Sequence, residues 1–149
     1  MASVGSTASY KVCYANPCLD PAYTEISGPS SLANYDYTIT DGERTETVPA
    51  FTLVTRPDAT HGLCGDIKYE FKVDGKDVPT TPAANDPVAF DPDGPRLIKI
   101  DSSDPAHVGT KTYTVTASLQ DYPNASLIPD AEAEGEIEFI SPCSLEGEV

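Results

Sequence analysis

Apolar and polar residues alternate with a period of two along several stretches of the chain. The longest stretch is Lys111–Gln120, in which Tyr113, Val115, Ala117 and Leu119 fall on one side and threonine or serine residues fall on the other. Successive side chains of a strand point to opposite faces of a sheet. The pattern therefore predicts a strand with one buried face and one solvent-exposed face.

The same alternation predicts a strand over Ile67–Val73, and Asp74-Gly75 offers a tight turn after it. The chain contains 14 prolines and 10 glycines, and no segment has the apolar spacing of a long helix. Many short strands separated by such turns are typical of a β-sandwich. The further candidate strands are Tyr23–Ile26, Ala33–Thr40, Val48–Thr55, Val88–Asp91, Leu97–Ile100 and Gly135–Ile140.

The net charge narrows the choice of partners. The 149 residues include 24 acidic and 9 basic side chains, for a formal charge of −15. Phosphate binding needs a basic surface, so we expect no nucleic-acid partner. No apolar run reaches the roughly 18 residues that a transmembrane helix needs, so we expect no membrane insertion.

The cysteines point to an oxidising compartment. Cys13, Cys18, Cys64 and Cys143 are even in number, lie far apart and lack the spacing of a zinc site. We interpret them as two disulfides, for which three connectivities exist. The sequon at Asn124 is a candidate glycosylation site, and both features favour an extracellular protein although residues 1–9 do not have the features of a signal peptide.

The two ends of the chain share a short motif. KVCYANPC at positions 11–18 lines up with EIEFISPC near the C-terminus, so that Val12 matches Ile137 and Tyr14 matches Phe139. Both copies end in Pro-Cys. Such self-similarity is typical of repeated modules, although chance likeness between two short β-segments is the alternative.

If the motif marks a repeat, a strand that ends in Pro-Cys closes one module and its cysteine opens the next. Residues 1–16 are then an N-terminal linking strand or segment, residues 17–143 a sandwich, and residues 144–149 a C-terminal linker.

A closing strand over Phe139–Cys143, together with Cys64-Gly65 followed by a strand that contains Tyr69, resembles the tandem immunoglobulin-like or cadherin-like modules of eukaryotic surface and fibre proteins. The resemblance implies an all-β fold, an immunoglobulin-like antiparallel β-sandwich of about seven to nine strands stapled by disulfides. It also implies a Cys18–Cys64 pair, which leaves Cys13 and Cys143 for each other or for neighbouring modules. The cadherin calcium motifs and the tryptophan of antibody domains are missing.

Catalytic motifs are also missing, and we expect no enzymatic activity. The two histidines, His61 and His107, lie in loop-like sequence and are interpreted as solvated. No cofactor is expected, except that hard cations take carboxylates from turns. Asp91 with Asp93, and Asp101 with Asp104, are therefore candidate calcium ligands, and ordinary turn chemistry is the alternative.

Two functional hypotheses follow. The first is a structural subunit of an extracellular filament, appendage or surface coat that is joined head-to-tail to copies of itself, either within one polypeptide or by strand addition through Tyr10, Val12 and Tyr14. The second is a monomeric module that binds glycans or a protein, with Tyr35, Tyr37 and Tyr122 as candidate sugar-stacking residues. For Tyr35 and Tyr37, packing in the core is the alternative.

Overall fold

The computed structural model describes residue 5 and residues 16–55, 64–122 and 128–144. These residues form ten strands, several short 3₁₀ helices and no α-helix. The strands are β1 Thr24–Ser27, β2 Tyr35–Thr38, β3 Arg44–Thr47, β4 Thr52–Thr55, β5 Ile67–Val73, β6 Lys76–Asp77, β7 Val88–Asp91, β8 Leu97–Ile100, β9 Gly109–Leu119 and β10 Ala131–Ile140. The described 3₁₀ helices are Pro17–Leu19, Pro105–His107 and Pro142–Ser144.

Two main sheets form the sandwich. The larger has the strand order β2-β10-β9-β5-β6 and the smaller has the order β3-β8-β7, while β1 and β4 form a separate pair. All pairings are antiparallel except that of β2 with β10. The predicted all-β sandwich is confirmed, with one parallel pairing where only antiparallel strands were predicted.

The core lies where the two sheets face each other. The predicted inward face of β9 is confirmed, since its four apolar side chains are at most 3% exposed. Phe71 of β5 stacks on Phe90 of β7 at 4.9 Å and on Tyr113 at 5.4 Å, which joins the two sheets through aromatic rings. Gly135 of β10 leaves room for the Tyr113 ring, because a Cβ atom there would lie 2.6 Å from it.

Several strands match their predicted bounds, and others do not. Ile67–Val73, Val88–Asp91 and Leu97–Ile100 are strands as predicted, and Asp74-Gly75 turns into β6 with positive φ angles of 48° and 76°. The prediction placed one strand over Val48–Thr55, but only Thr52–Thr55 is a strand there. Val48 instead continues the ladder of β3, since its N–H donates to the carbonyl of Arg96 at 3.0 Å.

The interpretation of Tyr35 and Tyr37 as sugar-stacking residues is wrong. Their side chains are 9% and 2% exposed, because both point from β2 into the core. The Tyr37 ring meets Phe139 edge-on at 5.5 Å. Packing therefore explains both tyrosines, and Tyr122 is half-buried.

Among the described residues, no helix is long and apolar enough to cross a bilayer.

Candidate functional site

The first and last described turns lie at opposite ends of the sandwich. The N-terminal pole contains the Pro17–Leu19 turn, Cys64, the end of β9 and the start of β10. The C-terminal pole contains the end of β10, the start of β9, the loop 101–108 and the Pro142–Ser144 turn. The poles are separated by the ten residues of β10, which at about 3.4 Å per residue span about 34 Å.

A disulfide between Cys18 and Cys64 closes the N-terminal pole, with their Cα atoms 5.3 Å apart. Cys64 lies three residues before β5, whose first residue pairs with the last residue of β9. The bond therefore holds the first turn against the end of the larger sheet. Both cysteines are buried, at 2% and 0% exposure, as is usual for a structural disulfide.

Local hydrogen bonds fix the first turn in place. Asn16 precedes the turn and accepts a hydrogen bond from the Cys18 N–H at 2.9 Å, while proline fills the first helical position. The Thr24 hydroxyl donates to the carbonyl of Pro17 at 2.6 Å and lies 3.7 Å from the Cys64 sulfur. The buried Thr24 thus ties the turn to β1.

The C-terminal pole repeats this turn. Ser141 precedes Pro142, and its hydroxyl accepts a hydrogen bond from the Cys143 N–H at 3.3 Å. The sequence similarity between the two ends is therefore also a structural similarity, with a polar cap, a proline and a cysteine in a 3₁₀ turn at each end. Cys143 differs from Cys18 in that it is exposed and bonds to no cysteine among the described residues.

The hydroxyl of Tyr37 organises the rest of the C-terminal pole. It donates to the carbonyl of Gly42 at 3.1 Å and accepts from the Ser102 N–H at 3.0 Å. Burial raises the pKa of Tyr37 above its ordinary value, although the hydrogen bond with the Ser102 backbone opposes this shift. The neutral hydroxyl therefore joins the turn after β2 to the loop after β8.

The Ser102 hydroxyl lies 2.7 Å from Nδ1 of His107, and the His107 ring lies 6.5 Å from the Phe139 ring. His107 is thus half-buried and hydrogen-bonded, and so only partly solvated. Ser102 also accepts from the Asp104 N–H at 3.3 Å and is only 6% exposed. No described carboxylate hydrogen-bonds to His107. The arrangement orders the loop, and the absence of enzymatic activity stays a prediction.

A shallow cleft of about 570 Å³ lies beside this loop, between residues 101–107 and residues 82–84. Its lining combines the carboxylates of Asp101 and Asp104 with proline and alanine side chains. The cleft is open and polar, so it presents a surface at the C-terminal pole rather than an enclosed ligand pocket.

The candidate calcium ligands lie in two separate places. Asp91 ends β7 towards the N-terminal pole and Asp93 follows it, whereas Asp101 and Asp104 lie at the C-terminal pole. Asp91 Oδ1 accepts from the Asp93 N–H at 3.1 Å, and Asp91 Oδ2 lies 3.7 Å from the Lys99 ammonium. Asp104 Oδ1 accepts from the Ala106 N–H at 2.9 Å.

No group of three or more His, Cys, Asp or Glu side chains converges within the described ranges. Calcium binding at either loop stays a prediction.

Other predicted site residues lie outside the described residues. They are Tyr10, Val12, Cys13, Tyr14, His61 and Asn124. Their predicted roles in assembly, disulfide formation and glycosylation stay predictions.

Sequence reasoning missed the exposed apolar residues at the poles and the Tyr37–Ser102 network. For the Pro105–His107 turn, the sequence contained one local indication, Asp104-Pro105, because an Asp before Pro is typical of a capped turn. The hydrogen bond between Ser102 and Tyr37 joins residues 65 positions apart, and no local pattern carries that information.

No family model matches the chain, and no curated protein matches it. Solved structures with a similar fold include the titin M3 domain, at 13% identity and a TM-score of 0.44, over 78% of this chain and 96% of that chain. Sidekick-1 immunoglobulin domains 1–4 match at 17% identity and a TM-score of 0.47, over 80% of this chain and 25% of that chain. The N-terminal Ig1-2 module of Drosophila receptor protein tyrosine phosphatase DLAR matches at 13% identity and a TM-score of 0.45, over 80% and 50%.

Proposed function

We propose that this chain is a structural module of an extracellular filament, appendage or surface coat, in which copies are joined head-to-tail. The observation that carries the proposal is the repetition of one Pro-Cys turn at the two poles of the sandwich. A module whose two joints lie at opposite ends extends a chain in one direction, because each contact is heterologous and does not close.

The end of β10 leads directly into the second turn. Only Ser141 separates the last strand from Pro142, and in the sequence Asn16 holds the matching position between residues 11–15 and Pro17. Ile137 and Phe139, the two apolar positions of the motif, are 0% and 1% exposed. The motif thus describes a core-facing closing strand, which supports the idea that Val12 and Tyr14 belong to the closing strand of a preceding module.

The cysteines fit the same scheme. Cys18 is bonded within the module, and Cys143 occupies the equivalent turn one module later. On this proposal Cys143 serves the next module as Cys18 serves this one. A buried disulfide persists in oxidising compartments, which supports an extracellular location.

A non-covalent version of the array uses separate subunits. The segment with Tyr10, Val12 and Tyr14 would then add as a strand to a neighbour, and β3 offers an edge because it pairs with β8 on one side only. In an antiparallel ladder alternate residues turn their backbone groups outward. The backbone N–H of Val48 donates towards β8. In the same ladder, Thr45 and Thr47 therefore turn their backbone N–H and C=O groups away from β8, towards the free edge.

Electron microscopy of native, unfractionated material tests the array. We expect filaments with a repeat of about 40 Å, the length of a domain of this size. Dispersed single particles would contradict the proposal. Deletion of residues 1–16 tests the non-covalent version, because strand addition requires that segment, and filaments that persist without it would rule it out as the joint.

The cleft at the C-terminal pole favours one second candidate, a monomeric module that binds a glycan or a protein. A glycan-array screen of the chain tests it. Binding that is lost when Asp104 is replaced by Asn, in a chain that forms no filaments, would support this candidate over the array.

A further inference from the structure

Large apolar side chains are exposed at three described positions, and all three lie at the poles. Leu19 is 38% exposed and Tyr23 is 45% exposed at the N-terminal pole, and Val108 is 48% exposed at the C-terminal pole. Within the described part of the chain, the outer faces of the two sheets expose no large apolar side chain. Isolated exposed apolar residues are common, but a restriction to the two ends indicates contacts made there.

The exposed apolar residues of both poles lie close to the proposed joint between modules. Val108 precedes Gly109, which pairs with Phe139 in an antiparallel ladder, so Val108 lies level with Ile140, about 3.4 Å along the strand from Ser141 at the joint. Leu19 follows Asn16 by three residues of 3₁₀ helix, a rise of about 6 Å. Tyr23 is held beside this turn, since its N–H donates to the carbonyl of Asp20 at 3.0 Å.

We propose that Leu19 and Tyr23 of one module pack against Val108 of the module before it. The inference rests on the proposed head-to-tail array, and it makes the joint an ordered apolar contact instead of a free hinge. So small a contact is sufficient because the continuous backbone already holds the two poles at a high effective concentration.

The charges at the poles make the contact distinguishable from an ionic one. Asp20, Asp66 and Asp121 lie at the N-terminal pole, and Asp101 and Asp104 lie at the C-terminal pole. Facing carboxylates repel each other, and salt screens that repulsion. The contact is therefore expected to persist or strengthen as sodium chloride is added.

A duplicated chain tests the contact, with residues 1–141 followed directly by residues 17–149. The first copy's Val108 then faces a following module, whereas the second copy's Val108 does not. With methyl-labelled valine we expect two separate sets of Val108 resonances in the NMR spectrum, and this separation should persist in 0.5 M sodium chloride.

The pair of substitutions Leu19→Ser and Tyr23→Ser is placed either in the second copy or in the first. In the second copy we expect it to merge the two sets of resonances. The same pair in the first copy is the matched control, because no module precedes it, and the separation should remain.

The failure of the contact and the failure of the array give different results. If both copies fold and the second copy forms its Cys18–Cys64 bond, but the two Val108 residues give one set of resonances, the contact is overturned and the array stands. Loss of the separation at high salt would also overturn the apolar contact. If the second copy does not fold or does not form its disulfide, the array proposal fails together with the contact.

Discussion

The two poles of the sandwich are closed by different means. At the N-terminal pole a covalent bond joins residues 46 positions apart, across a segment that contains β1 to β4. At the C-terminal pole the connections are short, and hydrogen bonds to the Tyr37 hydroxyl hold them. The comparison indicates that this fold holds its first turn with a disulfide and the turns at its other end with hydrogen bonds.

Removal of the disulfide should have the largest effect on stability. In the chain-entropy model, a closed loop of this length stabilises the fold by about 4 kcal/mol. We expect Cys18→Ala with Cys64→Ala to lower the free energy of unfolding in urea by about that amount. The double variant should also lose its sensitivity to reducing agents at this pole. A loss below about 1 kcal/mol would show that packing, and not the bond, closes the N-terminal pole.

The hydroxyl of Tyr37 should contribute less to stability than the disulfide, but more than the Tyr122 hydroxyl at the other pole. Tyr37→Phe leaves the buried Ser102 N–H without its acceptor, which costs about 2 kcal/mol in urea unfolding. Tyr122→Phe is the matched control, since among the described residues its hydroxyl accepts only a long, exposed hydrogen bond of 3.4 Å from Asn16. The control should change stability by less than about 0.5 kcal/mol. Equal losses in the two variants would contradict the contrast between the poles.

Alkaline pH should weaken the C-terminal pole through the same residue. Because burial raises the pKa of Tyr37, the folded state keeps this proton at a pH where the unfolded chain has lost it. The stabilising effect is complete below pH 10, the ordinary tyrosine value, and is lost as the pH rises from 10 towards the raised value.

For one tyrosine the loss is about 1.4 kcal/mol per pH unit within that range. Burial also raises the pKa of Tyr35 and Tyr113, so a similar loss is expected from each of them. Unfolding of the wild type and of Tyr37→Phe at pH 9 to 11.5 measures the part that is due to Tyr37. The variant should lose stability more slowly with pH, and identical slopes would show that Tyr37 is not the group responsible.

The strands whose bounds were predicted correctly from sequence contain their own apolar residues, with alternating burial in β5 and β8 and consecutive buried residues in β7. β5, β7 and β8 have their predicted bounds, whereas Arg44–Thr47 was missed because it contains no apolar residue. That strand forms because β8 supplies its ladder and because Arg44 is satisfied by contacts at 2.6 Å with Glu46 and with the carbonyl of Asp36. The ladder partner β8 lies far away in the sequence, so local patterns carry no signal for it.

The candidate site also has features that the sequence predicted and features that it did not. The Cys18–Cys64 pair was expected from the resemblance to tandem modules, and the repeated Pro-Cys motif was visible in the sequence. The parallel pairing of β2 with β10, which brings Tyr37 to the end of the last strand, depends on contacts between residues about 100 positions apart. The residues that meet at each pole depend on that pairing, so the sequence alone could not predict them.

Replacement of Cys143 should have the smallest effect on stability, and the size of that effect separates two arrangements of the cysteines. On the proposed array, this cysteine has no role inside a single chain, so Cys143→Ala should change the free energy of unfolding by less than about 0.5 kcal/mol. A Cys13–Cys143 bond would instead close nearly the whole chain into one loop, and its loss would cost more than about 4 kcal/mol. Urea unfolding of this variant, with a count of free thiols in the intact wild-type chain, therefore decides whether the open turn at the C-terminal pole serves its own module or the next one.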